Sequence, residues 1–103
     1  MEIKTALKKL RREAEDLQFA TRNESRLAHL YAIATVTIND IDNGETDEAV
    51  RNARILLELV KAEEQYRETG TYRYPWPCAY TWRAEAAKIK RYIGVLELVR
   101  GDR

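Results

Sequence analysis

Leu27-Ala28-His29-Leu30-Tyr31-Ala32-Ile33-Ala34-Thr35-Val36-Thr37-Ile38 is the stretch on which the fold turns. It carries no formal charge, and its apolar residues fall at every angle around a helix, so it reads as a central, largely enclosed helical element. Thr35 to Ile38 are rich in β-branching and favour a strand locally, but one isolated strand has nothing in the chain to pair with. The uncharged run, Leu27 to Asn39, is 13 residues long. A membrane-spanning helix needs roughly 20, so a buried helix is the reading that fits.

Downstream, Asp42-Asn43-Gly44 ends this helix, because Asn and Gly accept the left-handed backbone conformation. Thr46 can cap the next one, and Asp47 and Glu48 place acids at its positive end. The pair reads as a helical hairpin. The third helix, about Asp47 to Glu68, has one apolar row at Val50, Ala53, Leu57 and Val60 and a second at Ile55, Leu59, Ala62 and Tyr66, which implies two neighbours. Gly70 stops it. Thr71 to Tyr80 form a Pro-containing loop, and Thr81 caps a fourth helix from about Trp82 to Arg100, with Trp82, Ala86, Ile89, Ile93 and Leu96 as its stripe.

Upstream, Ile3, Leu7, Leu10, Ala14 and Leu17 repeat at steps of three and four and predict a first helix from about Ile3 to Phe19. Its opposite face is charged, with Lys9 and Glu13, Arg11 and Glu15, and Arg12 and Asp16 each four apart. Thr21 and Glu24 have the spacing of a capping box, so a new helix is expected there. One bent helix over residues 3–42 is the alternative, since no Gly or Pro intervenes.

The 103 residues, 45% hydrophobic and 34% charged, give one helical domain over residues 1–103 with room for a single core. The predicted fold class is all-α: a small antiparallel bundle of three to four helices with a central hairpin. Because the third helix is two-sided and the first stripe resembles a short coiled-coil seam, one small monomer leaves apolar surface uncovered, which predicts a homodimer or other homo-oligomer.

The formal net charge is +1, so there is no general attraction to nucleic acid or anionic lipid. By segment the picture differs: residues 27–50 hold only acids, Asp40, Asp42, Glu45, Asp47 and Glu48, all around the hairpin turn. The one cysteine, Cys78, can form no internal disulfide. With no signal-peptide pattern either, the expected compartment is cytoplasmic, with no membrane association.

Tyr72-Arg73-Tyr74-Pro75-Trp76-Pro77-Cys78-Ala79-Tyr80-Thr81-Trp82 holds five of the nine aromatic residues. Two prolines stiffen the segment, and rigid rings make good contact anchors. Tyr72, Arg73, Tyr74, Trp76, Tyr80, Trp82 and Arg83 are therefore the expected partner-binding residues, with the arginines, Arg67 included, orienting a carboxylate or phosphate. The competing reading is that these rings close one end of the bundle.

Chemistry-bearing motifs are sparse. Asp40-Ile41-Asp42-Asn43-Gly44-Glu45 resembles the start of a calcium loop, but it puts Gly44 at the fifth position, where such a loop needs Gly at the sixth, and Arg51 where the bidentate acid belongs. His29 has no nucleophile arrangement around it, and Glu63-Glu64 point in different directions on a helix. No catalytic residue, metal site or cofactor is expected. The function expected is that of a non-enzymatic interaction protein: a small regulator, adaptor or stoichiometric inhibitor that occupies a protein partner's surface, a category to which phage or mobile-element inhibitors of host systems belong. The alternatives are a nucleotide or single-stranded nucleic-acid binder that stacks bases on the loop rings, and a structural oligomer subunit that uses helix faces.

Overall fold

The computed structural model describes residues 1–69 and 79–100, with side chains throughout except at 68, 69, 79–81, 99 and 100. Four helices account for nearly all of it: α1 (Ile3–Thr21), α2 (Ala28–Asp42), α3 (Thr46–Thr69) and α4 (Ala79–Arg100). A single 3₁₀ turn, Ser25–Leu27, joins α1 to α2. The described residues include no strand; Thr35 to Ile38 are helical, and Thr35 and Thr37 send their hydroxyls back to the carbonyls of Tyr31 and Ile33 at 2.9 and 2.8 Å.

Side-chain pairs fix the topology. Arg11 meets Asp42 and Gln18 meets Thr35, so α1 and α2 run in opposite directions. Asp40 with Asn52 and Arg26 with Glu63 do the same for α2 and α3, and Arg54 with Glu97 and Glu64 with Arg83 for α3 and α4. Lys88 reaches back to Glu13, closing α4 onto α1. The bundle is therefore up-down-up-down: helices consecutive in the chain pack against each other, and α4 closes the square against α1.

The core runs along the square's axis. Leu10, Leu56, Val60, Ile89 and Leu96 are almost fully buried, and Ala6, Ala14, Ala34 and Ala53 have no exposed surface. Residues that small at the contact positions let neighbouring helices approach closely. On α4 the whole predicted stripe, Trp82 through Leu96, is inside, and so is the first row of α3.

Local expectations fail in several places. Thr21 is the last residue of α1, and its hydroxyl donates to Leu17 O at 2.8 Å, so it caps nothing downstream. α4 begins at Ala79, which puts Thr81 inside the helix. Ile3 is 38% exposed, because α1 overshoots the core at that end.

The hairpin turn keeps its expected glycine and acids, but α3 begins at Thr46, and Glu45, whose carbonyl accepts from Ala49 N at 2.9 Å, stands at the cap position in place of Thr46. Gly44 has φ +74° and is the one described residue with positive φ, while Asp47 and Glu48 sit in the first turn of α3.

The largest difference concerns α2. It is not enclosed: Ala28, His29, Tyr31, Ala32 and Val36 are all exposed. In a square bundle every helix has a neighbour on two sides only, so even a helix uncharged from Ala28 to Asn39 keeps an outer face in water.

Candidate docking face

The outer face of α2 continues onto α3. The pairs Asp40–Asn52 and Arg26–Glu63 set the register, and that register brings Val36 level with Ile55, Ile33 with Leu59 and His29 with Ala62. Ile55 and Tyr66, at the two ends of the second α3 row, are 40% and 43% exposed. Leu59 and Ile33 are half-buried and pack on the core from the outside. Two neighbours were expected for α3 on account of its two rows; α4 and α2 are those neighbours, yet the second row is left mostly in contact with water.

Both ends of this apolar strip are pinned by polar groups. At one end Asn52 Nδ2 donates to Asp40 Oδ2 at 2.7 Å. At the other, Glu63 is buried and accepts from both arginines nearby. Arg26 Nη1 and Nη2 donate to its two oxygens at 3.0 and 2.7 Å, and Arg67 Nε donates to Oε2 at 2.6 Å. The Arg26 guanidinium lies 4.4 Å above the Tyr66 ring, so the same side chain orders an aromatic anchor and fixes the helix register. A concavity of about 270 Å³ opens between Arg26, His29, Ala62 and Tyr66, with Leu30 and Leu59 in its wall.

Outside the strip the surface becomes polar. Arg54, Glu58 and Lys61 occupy the next face of α3, with Arg54 paired to Glu97. On the other side of α2, Tyr31 shares a shallow depression with Phe19, which is 69% exposed and carries the Arg22 guanidinium 3.7 Å above its ring. A charge-depleted strip with aromatic and arginine members and a polar rim is the composition of protein contact surfaces.

The residues expected to bind a partner are distributed differently. Trp82 is 2% exposed and belongs to the core, with Arg67 5.1 Å from its ring; a ring on the inner stripe of α4 cannot also be a surface anchor. Arg83 is exposed and donates to Glu64 at 2.8 Å. Tyr72, Arg73, Tyr74 and Trp76, like Cys78, lie outside the described residues, as does the side chain of Tyr80. His29, expected inside an enclosed helix, stands on the rim of the concavity.

Sequence reasoning identified Ile55, Leu59, Ala62 and Tyr66 as an apolar row in want of cover. It missed Ala28, Ala32 and Val36, although the absence of charge from residues 28–39 was the signal for them.

Asp40 and Asp42 hold no calcium-loop geometry. They are tied to Asn52 and to Arg11, and the Arg11 hydrogen bonds, at 2.7 and 3.0 Å, hold the Asp42 carboxyl below its usual range and raise Arg11 in turn. Among the described residues no group of three or more His, Cys, Asp or Glu side chains is placed to hold a metal ion, and no helix is long and apolar enough to cross a membrane. No protein-family model matches the chain, and neither a characterised protein nor a solved structure compared with it does so.

Proposed function

We infer that the protein is a non-enzymatic interaction protein, a small regulator, adaptor or stoichiometric inhibitor, that acts by covering a partner surface through the outer face of α2 and the adjoining row of α3. One observation carries this reading: a helix without a single charge from Leu27 to Asn39 keeps Ala28, Tyr31, Ala32 and Val36 in water. A solvated helix face is ordinarily charged, and an extended uncharged apolar face on a small protein marks a contact surface.

The face has the parts such a contact uses. Tyr66 and Tyr31 supply rings with polar tips, Val36 and Ile55 supply aliphatic area, and Arg26 is held in place by Glu63. Aromatic and arginine side chains carry most of the energy of protein contacts, whereas the small Ala28 and Ala32 permit close approach. The work is steric: what this face covers, another molecule cannot reach.

Affinity capture from the source cell tests the reading, with the wild-type chain and an Ala32→Arg, Ile55→Arg variant whose helicity and melting are first shown to match. A stoichiometric protein held by the wild type and lost with the variant is the expected result. Equal capture by both would refute it, and salt-sensitive retention of oligonucleotide instead would move the activity to the ring-bearing segment at residues 72–83.

A further inference from the structure

Two acids from different helices meet beside one lysine at the seam of α1 and α4. Lys88 Nζ stands 3.7 Å from Glu13 Oε1 and 3.7 Å from Glu85 Oε1. Both are ion-pair distances beyond hydrogen-bond reach, so the ammonium opposes the charge without donating to either carboxylate. The Glu13 side chain is 9% exposed and that of Glu85 18%, against 50% for Lys88. The second oxygen of each acid is more confined still: Glu13 Oε2 and Glu85 Oε2 are buried and have no hydrogen-bond partner among the described residues. The remaining buried side-chain atom of this kind, Trp82 Nε1, belongs to the residue three before Glu85 on the same helix.

Two buried carboxylates thus share one ammonium, which leaves the seam short of one positive charge. Lys9 and Arg91 flank it from α1 and α4, but both are exposed and neither comes within 4 Å of either acid. A buried carboxylate oxygen without a donor bears its desolvation cost unrelieved, and a cation between the two acids relieves both together.

We propose that Glu13 and Glu85 form a site for a hard divalent cation of the magnesium class, and that the Lys88 ammonium holds its place until the ion binds. The inference is independent of the α2 face. Oxygen donors select hard ions, and magnesium-class ions are held by one or two carboxylates with water completing the shell. Lys88 balances one carboxylate, whereas a doubly charged ion balances both. Ion–oxygen bonds of about 2.0–2.1 Å require each acid to close by roughly 1.6 Å on the position that Nζ fills. Lys88, already half in water, swings outward, and the opening it leaves admits the water ligands. Two protein ligands make a weak site, so occupancy calls for the ion at roughly millimolar concentration.

Titration of the full chain with Mn²⁺ in metal-free buffer, read by loss of the free ion's electron paramagnetic resonance signal and with Mg²⁺ as competitor, tests the site. The expected result is one Mn²⁺ bound per chain, displaced by Mg²⁺, with a higher melting temperature in the presence of either ion. Glu13→Gln and Glu85→Gln each weaken binding at least tenfold. Lys88→Gln tightens it severalfold, because the competing charge is gone; an ion pair that is merely structural gives no such gain. Circular dichroism melts establish that the variants fold, and Glu13→Met stands in for Glu13→Gln if that one does not.

A chain that takes up no Mn²⁺ overturns the proposal. Binding indifferent to both glutamine changes overturns it by placing the ion elsewhere, and loss of that binding with Glu45→Gln, Asp47→Asn identifies the acidic hairpin turn as the place. A Lys88→Gln variant that binds no more tightly than wild type overturns the place-holding role of Lys88.

Discussion

Glu63 is the best single point at which to perturb the bundle. Its carboxylate is 4% exposed and accepts three hydrogen bonds from two arginines, of which Arg67 has a side chain 2% exposed and Arg26 one 42% exposed. Glu63→Gln removes the negative charge and turns an amide toward the guanidinium groups. Breaking a buried ion pair from one side costs about 3–5 kcal/mol, because the remaining charge keeps its desolvation penalty. Arg26→Met costs less, about 1–2 kcal/mol, since the bridge is partly in water and Arg67 still neutralises the acid. Replacing both buried members, Glu63→Met with Arg67→Met, exchanges the pair for apolar volume and should return to within about 1 kcal/mol of wild type.

Glu63→Met and Arg67→Met made singly should each cost about 3–5 kcal/mol, so these two and their double change fail to add, with a coupling of about 2 kcal/mol or more. Urea unfolding followed by far-ultraviolet circular dichroism measures each value; at about 4–8 °C per kcal/mol, the Glu63→Gln effect is also plain in a thermal melt. A cost below about 1 kcal/mol for Glu63→Gln, or strict additivity, would show that water reaches this cluster and that it does not clamp α2 to α3.

Three further outcomes follow from the same structure. With Trp76→Phe, the remaining emission comes from Trp82, which is 2% exposed and should be blue-shifted and resistant to iodide; Trp82→Ala should cost about 3–5 kcal/mol in urea unfolding. Glu13 is buried with Oε2 unpartnered among the described residues and Oε1 3.7 Å from Lys88, so Glu13→Met should leave stability unchanged or raise it by about 1 kcal/mol in the same assay. The Arg11 hydrogen bonds hold the Asp42 carboxyl below its unfolded value, so their contribution is complete above the ordinary carboxylate range and is lost as pH falls through the lowered folded value. The stability difference between wild type and Asp42→Asn should therefore shrink below about pH 4 in unfolding curves taken across acid pH.

What the chain discloses about itself depends on whether the signal is local. Gly44 and the acids after it place the hairpin turn because a positive φ and a helix dipole act within a few residues. The stripe of α4 and the first row of α3 are legible for the same reason, since 3.6-residue periodicity is written along one segment. Thr21 misled because its hydroxyl had two local carbonyl or amide partners within reach, and spacing alone does not choose between closing one helix and opening the next. The clamp at Glu63 was hidden for a different reason: Arg26 comes from the 3₁₀ turn and Glu63 and Arg67 from α3, and knowing that Glu63 and Glu64 point in different directions does not say which of them faces inward.

The exposure of α2 is the most instructive case, because composition pointed the wrong way. Freedom from charge says that a helix face is not specified to stand in water; it does not say which molecule covers it. Four helices of 15–24 residues form a square, and a square encloses an axis and encloses none of its corners. A corner helix uncharged from Ala28 to Asn39 thus keeps part of its apolar surface uncovered within its own chain, and the residues that were read as enclosed, Ala28, Ala32 and Val36, lie on that outer face. Burial inferred from sequence and burial present in the isolated chain part company at α2, and their difference is the area on which the proposed docking reading rests.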